Sequence, residues 1–303
     1  MAGGEHSTRV ILVAFAANLG IAAAKFVGAV MTGSAALLAE GIHSLVDCSN
    51  QLLLLLGARR SARPPDEQHP LGYGREAFFW SFIVAILLFS LGGLFAIYEG
   101  VHKLGQTEEV QAPLIGLLIL LVSVGLEGYS FRVCLNEVRQ QPRFAGYLKW
   151  FKSTKNSELL VIFAEDLAAL AGLTIALLAL LLAWLTGNPM WDSIGSILVG
   201  LLLVIVAIFL AVEIKSFLVG EAADEDLKRA VEAEVREAFP TGRLLRYIAI
   251  QVGSHSVLLS CKVHPGELTD LKSAIHRVNQ MERKIKELHS SVTWQFIELD
   301  LSD

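Results

Sequence analysis

Only 3 of the 303 residues are cysteine. Cys48, Cys134 and Cys261 lie far apart with no paired spacing, which disfavours both a disulfide framework and a zinc ribbon. Positive charge is also sparse: 25 Lys and Arg stand against 30 Asp and Glu, for a formal net charge of -5, and the basic residues are scattered rather than gathered into a patch. Nucleic acid is therefore not an expected partner. There is no His-Glu-x-x-His or Gly-x-Ser-x-Gly element, so a membrane metallohydrolase or serine hydrolase has no support and no enzyme is expected. Low-complexity tracts are absent, and the two halves of the apolar region show no repeat. Residues 1–8 are polar and too short for a cleaved targeting peptide, so the first apolar helix is expected to act as the insertion signal.

What the chain has in abundance is apolar sequence. It is 53% hydrophobic, with its charges crowded into a few short stretches and the last eighty or so residues. Hydropathy predicts six transmembrane spans, near 9–31, 34–57, 78–101, 112–136, 158–185 and 191–214. Arg59, Arg60, Arg63 and Arg75 follow the second span, and Arg139, Arg143, Lys149, Lys152 and Lys155 follow the fourth, with Lys215 after the last. The connectors at 32–33, 105–111 and 186–190 carry almost no basic residues. By the positive-inside rule both termini and the long loops face the cytoplasm, as for a protein of the bacterial inner membrane. The expected domains are 1–215, a membrane bundle of six helices, and 216–303, a small cytoplasmic α+β domain. In the latter, helical and alternating periods follow one another as αββαβ, the pattern of a ferredoxin-like layer.

The second span carries a polar stripe. Glu40, His43, Asp47 and Asn50 recur at spacings of three and four, so all four share one helical face. A charge at the centre of a membrane helix costs roughly 2.5–3.5 kcal/mol even on a lenient insertion scale. Such a stripe needs partners or a cargo. His43 and Asp47 stand one turn apart, about 6 Å along the axis, where two side chains of one helix reach one metal ion. Imidazole and carboxylate together suit zinc or a neighbouring first-row ion. The fifth span offers Asp166, favoured as a ligand, and Glu165 as a further ligand or proton acceptor, among the small residues Ala168, Ala169 and Gly172. Glu40 and Asn50 are expected beside the ligands or along the pathway. Glu127, on a polar face with Ser123 and Ser130, is either a proton carrier or the partner of Lys25. For Lys25 and Asn18 structural roles are expected, the lysine neutralising a carboxylate or snorkelling to the interface.

At this point the residues resemble a known family. The segments Ala39-Glu-Gly-Ile-His-Ser-Leu-Val-Asp47 and His69-Pro-Leu-Gly-Tyr-Gly74, together with Asp192 and Gly220-Glu-Ala-Ala-Asp224, are similar to those of the cation diffusion facilitators. The resemblance implies a dimeric metal/proton exchanger with six transmembrane helices and a cytoplasmic ferredoxin-like domain. A finer likeness, to the zinc-transporter-nine-like branch, lies in Asp47-Cys-Ser-Asn-Gln51, Leu135-Asn-Glu137, Glu165-Asp-Leu-Ala-Ala169 and Thr186-Gly-Asn-Pro-Met-Trp-Asp192. Most members carry a His four residues before the fifth-span Asp, where this chain has Ile162. The usual four-ligand site therefore does not transfer intact, and water, Glu165 or Asn50 would complete the shell. Asp66 and His69 resemble a second loop site whose third position here is Tyr73. His255, His264, His276 and His289 have no fixed ligand spacing and read as surface histidines. The safer role of the tail is dimerisation, because so small a layer buries little on its own.

The expectation is a secondary transporter that moves zinc out of the cytoplasm in exchange for protons. Transport of Mn²⁺, Fe²⁺, Co²⁺ or Cd²⁺, a passive metal channel and a membrane metal sensor are the alternatives. Its partners are divalent metal ions, protons, the lipid bilayer and a second copy of the chain. No cofactor is implied, since the metal is cargo.

Overall fold

A computed structural model of the chain describes residues 2–104, 112–141, 144–254, 256–268 and 270–302. The connector at 105–111, Arg143 and His255 lie outside the described residues. The helices run α1 (Ala2–Thr32), α2 (Ala35–Ser61), α3 (Glu76–Lys103, with a π-helical turn at Leu88–Leu94), α4 (Pro113–Gln140), α5 (Tyr147–Ser153), α6 (Ser157–Thr186) and α7 (Met190–Val219). They are followed by α8 (Glu225–Ala238), β1 (Arg243–Gly253), β2 (Ser256–His264), α9 (Leu271–Leu288) and β3 (Val292–Leu299). Two compact units result: Met1–Gly57 with Phe79–Ile214, and Ala58–Phe78 with Lys215–Asp303.

Among the described residues, four helices of the first unit are long and apolar enough to cross a membrane: α3, α4, α6 and α7. The stretch Asn18–Thr32 of α1 adds a shorter apolar helix. Length and composition thus support four of the six expected spans directly. The reason α2 is not among them is its own stripe. Glu40, His43, Ser44, Asp47 and Asn50 lower its hydropathy, and all five are buried against protein. A helix of this kind is hidden by its neighbours rather than by its composition.

The turn between α1 and α2 is held from three sides. Thr32 Oγ1 donates to the Gly28 carbonyl at 2.7 Å, and Ser34 Oγ caps α2 by accepting from Leu37 N–H at 3.1 Å. Asp192, in the first turn of α7, accepts from both the Ser34 hydroxyl and the Ala35 N–H. Lys103, ending α3, donates to the Gly33 carbonyl at 2.7 Å. Farther along, Ser196 Oγ of α7 donates to the Ala96 carbonyl of α3 at 2.8 Å. The 137–157 connector, read from sequence as a loop, contains α5. Its Trp150 and Phe151 rings lie 5.4 and 5.5 Å from that of Phe163 on α6. Three lysines give the segment a loop-like composition, while one apolar side is enough to fold a short helix onto the bundle.

In the second unit β1 and β2 are antiparallel, and β3 lies parallel to β2 after the α9 crossover, giving the order β1-β2-β3. Alternate β2 residues Leu259, Cys261 and Val263 meet Val231 and Val235 of α8 and Met281 and Ile285 of α9 in one core. Residues 221–223 line the free edge of β1, with Gln251 N–H donating to Glu221 O and Ala223 N–H to Ala249 O, each at 2.9 Å. The segment after α2 belongs to this unit. Trp294 Nε1 donates to the Leu71 carbonyl at 3.2 Å. Gly74 and Gly253 meet backbone to backbone: a Cβ at Gly74 would lie 2.5 Å from Val252 O, and one at Gly253 would lie 2.9 Å from Gly74 Cα.

Candidate cation site in the helical unit

The stripe of α2 meets α6. His43 Nδ1 lies 3.5 Å from Asp47 Oδ1, one turn farther along the helix. Three residues past Asp47 on the same face, Asn50 Nδ2 donates to Glu165 Oε1 at 3.0 Å, which ties α6 to the stripe. All four residues are buried. Among the described residues, both ring nitrogens of His43, Asp47 Oδ1 and Asn50 Oδ1 have no hydrogen-bond partner. A buried polar atom without a partner costs about 1–3 kcal/mol, so a cluster of four is a strong demand for a ligand. Also among the described residues, no three His, Cys, Asp or Glu side chains share a position able to hold an ion as they stand.

The azimuth of α6 sets which of its two acids meets the stripe. Sequence reasoning favoured Asp166, whereas the structure turns Glu165 toward the stripe. Val161, Glu165, Ala168 and Gly172 form the packed side of the helix. Asp166 is only partly buried, with Oδ2 lacking a hydrogen-bond partner among the described residues. Ile162, the position at which relatives are expected to carry His, is 38% exposed, one turn before Asp166 on that same outer side. Neighbouring residues sit about 100° apart on a helix, so packing the small residues inward brings one acid in and leaves the other at the rim.

Glu40 takes a different partner. Lys25 Nζ donates to Ser44 Oγ at 2.7 Å and to Glu40 Oε2 at 3.3 Å, and the lysine is 1% exposed. It therefore neutralises a carboxylate and does not snorkel. Glu127 is buried on α4, and Lys25 makes its ion pair with Glu40. The role of Ser44 escaped sequence reasoning, although its place four residues after Glu40 on the same stripe could have revealed it.

The loop pair has another character. Asp66 Oδ1 accepts from the Gln68 and His69 N–H groups at 3.0 and 2.7 Å, and its Oδ2 accepts from Tyr73 OH at 2.6 Å. The Tyr73 hydroxyl, chief among these donors, holds the Asp66 carboxyl below its ordinary range; the same bond raises the tyrosine. This carboxylate organises a turn. In the tail, His276 Nε2 lies 3.0 Å from Gln280 Nε2, and His264 Nδ1 accepts from Gly266 N–H at 2.9 Å.

Long apolar helices around a buried, acid-rich interior define a polytopic membrane protein. Residues 11–219 match the family description "Cation efflux transmembrane domain", and the chain belongs to the cation efflux family, the cation diffusion facilitators, within the zinc-transporter-nine-like branch. It is 33% identical over 258 residues to "Proton-coupled zinc antiporter SLC30A9, mitochondrial" of Xenopus laevis, covering 84% of this chain and 46% of that protein. Identity to the Homo sapiens protein of that name is 35% over 227 residues, 74% of this chain and 40% of the relative. "Metal tolerance protein C4" of Arabidopsis thaliana is 35% identical over 223 residues, 73% and 49% respectively. The chain thus spans about half the length, or less, of these curated relatives.

Proposed function

We propose that the protein is a secondary transporter that carries a divalent metal ion, zinc first among them, across a membrane in exchange for protons. The observation that carries this reading is a buried group of two carboxyls, Asp47 and Glu165, with His43 and Asn50, in which both imidazole nitrogens, Asp47 Oδ1 and Asn50 Oδ1 have no hydrogen-bond partner among the described residues. A pair of buried carboxyls takes up a proton when no cation is present, because an ionised carboxylate without a partner is costly in a dry interior. A divalent ion entering at Asp47 and Glu165 displaces that proton and takes His43 as a softer ligand. Protonation from the far side reverses the exchange and releases the ion. Zinc is favoured by the mixed imidazole and carboxylate donors, and relatives bear the name of proton-coupled zinc antiporters. Asp66 and His69 are not included, because the carboxylate oxygens of Asp66 already serve the turn.

The same reading has six membrane crossings, α1 and α2 included, with both termini on the cytoplasmic face of a bacterial inner membrane, as the basic connectors favour. The domain boundary falls near residue 215, and the tail is a ferredoxin-like module that pairs two copies. Ile248 and Phe296 flank Ser260 in register on one side of its sheet and are 46% and 55% exposed, an apolar surface suited to a twin.

The test is proteoliposome transport with an internal pH dye while Zn²⁺, Mn²⁺, Co²⁺ and Cd²⁺ compete. An exchanger couples ion entry to proton movement, with Zn²⁺ the best competitor. Ion flux with no pH change would replace the exchanger by a channel.

A further inference from the structure

Lys25 is the one buried lysine or arginine among the described residues, and sequence logic alone does not require it. Its ammonium lies against Ser44 Oγ at 2.7 Å and Glu40 Oε2 at 3.3 Å, while Glu40 Oε1 has no hydrogen-bond partner among the described residues and Glu40 itself is fully buried. Gly172 of α6 leaves room for this carboxylate, since a Cβ there would lie 2.8 Å from Glu40 Oε1. Glu40 and Asp47 are seven positions apart on α2, about 10 Å along the axis and nearly in line. The polar core therefore has two acid centres stacked along one helix, one around Glu40 and Ser44 and the other around Asp47 and Glu165.

Resting on the transport-site reading above, we propose that the Lys25 ammonium is a tethered cation filling the upper of two cation positions, making Lys25 the residue that restricts the carrier to one cargo ion at Asp47 and Glu165. An ammonium is a compact, strongly hydrated point charge with three donors, and it suits oxygen ligands much as a metal ion does. Buried without a partner, Glu40 would carry a heavy desolvation cost, so the position demands a cation of some kind. The lysine supplies one that cannot leave, and a divalent ion is kept from the oxygens of Glu40 and Ser44 by occupancy and by repulsion.

Equilibrium dialysis of the full chain in detergent against Co²⁺ tests the assignment by counting ions bound per chain. Lys25→Ala is expected to gain about one ion over wild type; Lys25→Arg, which keeps the charge, gains none; and Lys25→Ala combined with Glu40→Gln returns to the wild-type count. An unchanged count in monodisperse Lys25→Ala protein overturns the proposal, as does a gain in Lys25→Arg. Asp47→Ala separates it from the transport-site reading. If Asp47→Ala binds as wild type does, that reading fails, whereas a gain in Lys25→Ala/Asp47→Ala over Asp47→Ala alone still reports on the Lys25 position. Should Lys25→Ala aggregate, Glu40→Gln leaves the ammonium uncompensated near the cargo, and Co²⁺ affinity is expected to fall by about tenfold or more. An unchanged affinity in that variant overturns the proposal.

Discussion

His43 and Asp47 on α2 and His69 and Asp66 in the following segment are the same two residue types at nearly the same distance, 3.5 and 3.6 Å. Their side chains are 1% and 9% exposed in the first pair and 51% and 49% exposed in the second. The buried pair leaves both imidazole nitrogens and one carboxylate oxygen without partners among the described residues. In the exposed pair the carboxylate already holds two backbone N–H groups and a tyrosine hydroxyl. Proximity of His and Asp is therefore not what marks a cation site. Burial with unmet bonding capacity marks it, because only there does an ion lower the free energy by satisfying atoms that water cannot reach.

The most severe way to break this contrast is to remove the buried carboxylates. Asp47→Ala or Glu165→Ala is expected to lower zinc-driven proton flux in proteoliposomes by about 100-fold or more, since a lost ligand exceeds the 10–100-fold effect of a lost supporting partner. Asp166→Ala should cost much less; a loss as large as that of Glu165→Ala would put the ligand on the rim acid instead. Next comes the imidazole comparison. His43→Ala is expected to cut flux by about tenfold or more, and His69→Ala by less than about twofold, in line with their burial. Equal losses would erase the distinction between the two pairs.

Two smaller effects sharpen the picture of the loop as a structural element. Gly74→Ala places a methyl group against Val252 O, a backbone atom that cannot swing aside. Full-chain thermal unfolding should show a loss of about 1–3 kcal/mol with zinc flux retained in the protein that stays folded. Smallest is Tyr73→Phe, which deletes the hydrogen bond to Asp66. The Asp66 carboxyl is depressed in the folded state, so its contribution is present above the unfolded value and fades as pH falls through the lower folded one. The tyrosine is raised, so its contribution holds below its unfolded value and is lost at higher pH. Melting temperatures of wild type and Tyr73→Phe should differ slightly between about pH 4 and pH 10 and converge outside that window. A difference that persists well into acid would show that the hydroxyl stabilises the turn by something other than its bond to the ionised Asp66 carboxylate, since the ring and its packing on His69 remain in the variant.

The sequence by itself determined a good deal: the apolar helices, the polar face of α2, the β-rich tail with α9 between β2 and β3, and family membership. All of these are local periodicities or contiguous motifs, and a period is written in consecutive residues. It said less about α5, whose single apolar side is hidden among lysines. Only the tertiary structure decided which acid of α6 faces the stripe, because the azimuth of a helix follows from how Ala168 and Gly172 pack against its neighbours. The same holds for Lys25, drawn in by Glu40 and Ser44 from another helix, and for Asp192 on α7, which caps α2 across 157 positions of sequence in its bond to Ala35. Ion pairs and caps between distant segments form where packing brings them together, and no spacing in the chain encodes that meeting.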